Sequence, residues 1–247
     1  MKLDIGKALL IVPLVLLTVP PASAQTADQL PSTNDVVAKM METDAARQSQ
    51  MTGYTVLRRY VAVNRNRRAE MQVRVECDRN SAEHFSIVSE EGSRAIRNHV
   101  FRKLLKEETE ASRHGSRKST RLTPENYNFA LIAKETIETG PAYELAVSPK
   151  SVNKYSIEGD IWVDANDYSI VRIEGEPARS PSFWVHSVHF VHTYRKVGPF
   201  WLASLTRTRS EIRIFGAAEL TIENSDYTLN PAVEHTTVAD NQTGSLQ

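Results

Sequence analysis

Cysteine is almost absent: Cys77 is alone in 247 residues, so no intramolecular disulfide can staple the fold and a packed core must hold it. Glycine is scarce at 10 residues, and no G-x-x-x-x-G-K phosphate loop, G-x-S-x-G nucleophile elbow or H-E-x-x-H zinc helix occurs. Neither sign of charge prevails, with 30 Lys and Arg against 30 Asp and Glu, a balance that argues against a general nucleic-acid binder. The longest apolar run, ALLIVPLVLLTV from Ala8 to Val19, is shorter than the roughly 20 residues of a spanning helix. Pro13 interrupts it, and Pro20 and Pro21 follow.

Lys2 and Lys7 before that run and Ala22-Ser23-Ala24 after it form the pattern of a secretory signal peptide, with cleavage expected after Ala24. The reading is export to the periplasm. Removing residues 1–24 takes away Lys2, Lys7 and Asp4 and leaves the remainder near a charge of −1. Residues 25–33 read as a polar linker, 34–231 as one domain, and 232–247 as a flexible tail.

Asn34 or Ser32 is placed to cap a helix over DVVAKMMETDAARQSQ. From Tyr54 the period changes: YTVLRRYVAVN, RAEMQVRVECD and AEHFSIVSEEG alternate apolar with polar residues. Met71, Val73, Val75 and Cys77 point one way while Gln72, Arg74 and Glu76 point the other, which makes Cys77 a buried structural thiol. A helix follows in SRAIRNHVFRKLLKEETEASRHG, where Ile96, Val100 and Leu104 recur every fourth residue. From Arg94 to Arg121 nine Lys or Arg face three Glu; this basic stretch either meets anionic headgroups or is a solvated face. Seven further strands complete the chain, separated by Gly, Pro, Asn and Asp signals.

FWVHSVHFVHTY at 183–194 holds three histidines at intervals of three. On a helix His186 and His189 would share a face and zinc would follow. On a strand His189 points away from His186 and His192, which stand roughly 20 Å apart and cannot share an ion. No metal and no cofactor are expected. Asp160, Asp164 and Asp167 lack the calcium-loop spacing and read as a hairpin turn. Ser151-Val152-Asn153-Lys154 matches S-x-x-K but opens no helix, so no catalytic residue is assigned and no enzyme is expected. What remains is an excess of one-faced strands over helices, which a curled sheet around two helices, or around a ligand, would resolve.

G-D-I-W-V-D at 159–164, V-R-I-E-G-E-P at 171–177, F-W-x-x-x-V-H-F at 183–190, G-P-F-W at 198–201, T-I-E-N-S-D-Y at 221–227 and T-P-E-N-Y-N-F at 123–129 carry a resemblance. The chain resembles the outer-membrane lipoprotein-sorting proteins, relatives of the LolA and LolB carriers and the RseB sensor. The resemblance implies an α+β, mostly β fold: a curved antiparallel sheet, or half-open β-barrel, with helices over its concave face. It also implies a cavity for lipid or lipoprotein acyl chains, with Met71, Val73, Val75, Phe85, Phe129, Leu131, Trp184, Val188, Phe190, Ile212 and Ile214 as candidate walls. Met40, Met41, Val100, Phe101, Leu104 and Leu105 would form the lid, methionine suiting a surface that repacks. The expected function is a non-catalytic carrier of the cell envelope, touching a membrane surface or a partner protein of the inner or outer membrane. The alternative is an envelope sensor or protein-interaction module on the same fold, without lipid transfer.

Overall fold

The computed structural model describes residues 30–79, 82–113, 121–153, 155–179, 185–212 and 216–230. Helix α1 (Thr33–Gln50) begins where Ser32 accepts the amide of Asp35 on its hydroxyl at 3.1 Å, and Asp35 adds a negative charge to the first turn. Val36, Val37 and Met40 form its buried stripe.

Ten strands follow: β1 (Tyr54–Asn64), β2 (Arg67–Cys77), β3 (Glu83–Gly92), β4 (Tyr127–Ile137), β5 (Gly140–Pro149), β6 (Ile157–Asp164), β7 (Ile170–Pro177), β8 (Val185–Val197), β9 (Phe200–Ile212) and β10 (Gly216–Leu229). Between β3 and β4 run α2 (Arg94–Ile96), a π-helical turn (Arg97–Phe101) and α3 (Arg102–Arg113). All ten strands form one antiparallel sheet in the order β3-β2-β1-β10-β9-β8-β7-β6-β5-β4, curved and open, not a closed barrel. The α+β, mostly β architecture expected from alternation and from the resemblance is therefore present.

Register explains the division of the sheet into two faces. Tyr60 pairs with Met71 and with Ile222, Ile222 with Thr206, Thr206 with His192, His192 with Ile173, Ile173 with Ile161, and Ile161 with Leu145. Paired residues share a face, so these side chains mark one continuous inner surface, which both helical segments cover. Under α1 the inner face packs Val36, Val37 and Met40 against Tyr143, Leu145, Ile161 and Val163. Under the second helical segment it packs Ile96 and Phe101 against Tyr60, Met71, Val73 and Val75. Cys77 is buried on the same side as Met71, as its alternation requires.

Gly159 and Gly175 face each other across β6 and β7, and a Cβ on either would come within 2.3 Å of a carbonyl oxygen on the other strand. Only glycine permits this approach. The two free edges, β3 and β4, each carry a bulge, at Val88 and at Ile132, and both bulged residues are exposed. Such irregularities blunt an edge against pairing with another chain.

The two packed clusters should dominate stability. Met71→Ala, a deletion at a site with no exposure, is expected to cost about 2–5 kcal/mol. Ile87→Ala, on an exposed edge, should stay within about 0.5 kcal/mol. Urea midpoints for the two variants check this, and equal losses would mean the core has been misplaced.

An apolar cavity between the two helical covers

The inner face is not evenly covered. Side chains of β2 and β5 lie fully buried, as Met71, Val73 and Leu145 do, whereas Val188, Thr208, Ser210, Ala218 and Leu220 on the same face are only half-buried. These belong to β8, β9 and β10, the middle of the strand order, between the footprints of α1 and the second helical segment. A void of about 640 Å³ opens over them, with walls mainly of apolar atoms. Its floor is small or hydroxylated, from Ala62, Thr208, Ser210 and Ala218, and its roof is Ile96, Val100 and Leu104.

The roof owes its shape to the π turn. Inserting one extra residue per turn shifts the phase of the helix, so Phe101 goes down into the core against Tyr60, ring centroids 6.1 Å apart, while its neighbour Val100 looks into the void. The Ile96, Val100, Leu104 stripe read from sequence is thus the roof itself.

A buried polar network ties this roof to the sheet. Arg58, in the middle of β1, donates to the Glu108 carboxylate of α3 at 2.8 Å and to Asn224 of β10 at 2.9 Å. The Tyr60 hydroxyl donates to the same Glu108 oxygen at 3.0 Å, and Glu83 stands 3.9 Å from the guanidinium. Burial pushes the Glu108 carboxyl above its ordinary range against the pull of Arg58. Arg58 keeps its charge, because Tyr60, Glu108 and Glu83 together outweigh its own desolvation. On the outside of the helix Arg102 is held by Glu90 at 2.6 Å, Lys103 by Glu107 and Lys106 by Glu110, so much of the described basic stretch carries its own counter-charge.

The other cover is pinned at the β6–β7 turn. Thr43 donates to the carbonyl of Asp167 at 2.9 Å and Lys39 to the hydroxyl of Tyr168 at 3.1 Å. The aspartates here serve the turn. Asp164 accepts the amides of Asn166 and Asp167, and Asp167 accepts from the Trp201 indole at 2.9 Å and Lys196 at 3.1 Å.

Of the candidate wall residues, Val188 lines the void. Met71, Val73 and Val75 do not: they fill the core beneath Phe101, where large side chains leave no space. Phe85 packs at that cluster's margin, Phe129 and Leu131 at the margin of the α1 cluster, and Phe190 lies buried within the latter. Trp184, Ile214 and the side chain of Ile212 lie outside the described residues. Among the lid candidates Val100 and Leu104 roof the void, Leu105 and Phe101 pack into the core behind it, and Met40 and Met41 belong to the other cover. Sequence reasoning passed over Ala62, Thr208, Ser210 and Ala218, because it sought bulky apolar residues and a void forms where residues are small. Their one signal was small or hydroxylated side chains at inward positions of TRTRSEI and GAAEL.

The histidines separate as strand alternation requires. His192 lies on the inner face, its Nδ1 2.7 Å from the Thr206 hydroxyl, whereas His189 meets Glu174 at 3.2 Å on the outer face. The side chain of His186 lies outside the described residues. Among the described residues no three potential ligands gather as a metal site. Ser151 is exposed on a loop that opens no helix.

No family model and no curated protein matches this chain. Several solved structures are similar to it. A LolA superfamily protein is among them. That protein, from Nitrosomonas europaea, is 10% identical, with 82% of this chain and 96% of that one covered and a TM-score of 0.36. A DUF1329 family protein from Desulfovibrio piger is 10% identical over 83% of this chain and 95% of that one, with a TM-score of 0.46. A domain named as an outer membrane lipoprotein-sorting protein, from Vibrio parahaemolyticus, is 13% identical over 82% and 95%, with a TM-score of 0.42. Likenesses at these identities and scores carry no residue role and no activity over to this chain.

Glu108→Ala removes the nearer carboxylate from part-buried Arg58, which keeps Asn224 and Glu83, and should cost about 1–3 kcal/mol, with Glu108→Gln costing less; limited proteolysis should then cut α3 first. Burial lowers His192 from 6.5 to about 4. Below pH 6.5 the unfolded chain takes up a proton that the folded chain refuses, so this contribution is full above pH 6.5 and is lost as pH falls toward 4. The urea midpoint should therefore drop between pH 7 and pH 5, and His192→Gln should flatten that drop.

Proposed function

We propose that this chain is a non-catalytic binding protein of the bacterial cell envelope that takes up lipid or the acyl chains of a lipoprotein in the cavity beneath its second helical segment. Export after cleavage at Ala24 would deliver residues 34–231 to the periplasm as one binding domain. The observation that carries the reading is the half-buried inner strip of β8, β9 and β10 beneath a void of about 640 Å³. A filled core would bury these positions as it buries Met71 and Leu145.

Energetics favour an apolar occupant. Each methylene removed from water contributes about 0.8 kcal/mol, so a chain of a dozen outweighs any single polar contact at the site and covers much of the cost of association. The roof is held by the Arg58–Glu108 network and by Phe101, which packs into the core. A ligand can therefore enter without dismantling either packed cluster.

Filling the void tests the proposal. Ala218→Phe places an aromatic ring on the floor, and a strand accepts it readily. The variant should keep the unfolding midpoint of the parent while losing more than about tenfold in affinity for a fluorescent long-chain fatty acid, a loss of about 1.4 kcal/mol or more. Unchanged uptake would sink the assignment of this cavity.

A further inference from the structure

The geometry points to a single-chain amphiphile with an anionic head as the ligand of this cavity, in preference to a lipid with two or three chains; the inference rests on the reading that the cavity takes apolar chains. Size is the first ground. At roughly 30 Å³ per methylene, about the share of liquid volume that a water molecule takes, a void of about 640 Å³ holds some twenty methylenes. One chain of sixteen to eighteen carbons fits. Two such chains need about 1,000 Å³ and three about 1,500 Å³ at the same figure. The roof cannot lift to widen the void while Phe101 stays seated and Arg58 keeps its hold on Glu108, because both fix it to β1 and β2.

Charge is the second ground. The lining residues grade from buried to exposed along β1: Ala62 lies inside, Asn64 at the strand end, and Arg67 opens β2 just beyond the hairpin turn. Exposed Arg67 and His99 stand at this rim. Arg67 has no acidic partner among the described residues. The one carboxylate that lines the void, Glu219, is already held by Arg209 at 3.0 Å. The tail of a ligand would run inward over Ala62 toward Leu104 and Leu220, and its head would stop at Arg67. A carboxylate or a phosphate satisfies that guanidinium, as both accept paired hydrogen bonds from it.

The test uses the delipidated mature chain and displacement of a bound environment-sensitive fluorophore. Four competitors are compared: palmitate, a single-chain lysophosphatidate, hexadecanol as the uncharged single chain, and dipalmitoyl phosphatidylglycerol as the anionic two-chain lipid. Palmitate and lysophosphatidate should displace the probe, hexadecanol about fivefold more weakly, as for one exposed ion pair, and the two-chain lipid not measurably. The stronger of the two anions identifies the head. Arg67→Gln should weaken both anions about fivefold and leave hexadecanol within about twofold, at an unchanged unfolding midpoint. Displacement by the two-chain lipid as strong as by palmitate, or an Arg67→Gln effect equal for charged and uncharged chains, would overturn the inference while leaving a chain-binding cavity in place. A fluorophore that never binds would remove the cavity reading, and this inference with it.

Discussion

Two helical segments cannot cover a ten-stranded inner face. Each packs closely on a few strands, and register makes every strand present its inner side chains to the same surface, so over β8, β9 and β10 the second segment stands off as a roof instead of packing down. That mismatch of areas determines the rest. The sheet cannot close without further strands, the helices cannot slide together without giving up their own clusters, and the uncovered strip becomes a void.

What keeps the void from collapsing is the separation of its supports. Each cover has its own core and its own polar anchor: Val36, Val37 and Met40 with the β6–β7 turn on one side, and Phe101 with the Arg58, Tyr60 and Glu108 network on the other. The π turn lets adjacent residues serve different ends, Phe101 the core and Val100 the roof. Small and hydroxylated floor residues complete the arrangement, because Ala62, Ala218, Thr208 and Ser210 cannot reach across to fill the space.

The strands were legible because alternation is a local signal: most of the ten, β2 above all, lie where apolar and polar residues change places, and the histidines of β8 divided between faces for the same reason. The helix stripe Ile96, Val100, Leu104 was legible for its period of four. The cavity walls were not. A bulky residue at an inward position, such as Met71 or Val73, looks from sequence equally fit to line a void or to fill one, and only the position of a covering helix decides. Arg58 could not be singled out either, since its partners lie 50 and 166 residues away and no periodicity links them.

The central claim is that an apolar chain lies between the π turn and the strip formed by β8, β9 and β10. The most direct measurement is a crystal structure of the protein with a terminally brominated fatty acid, read by bromine anomalous scattering. The account predicts one bromine peak over Ala62, Leu104 and Leu220, with the roof helix still seated on Phe101. Side chains meeting across the strip with no bromine between them would contradict it.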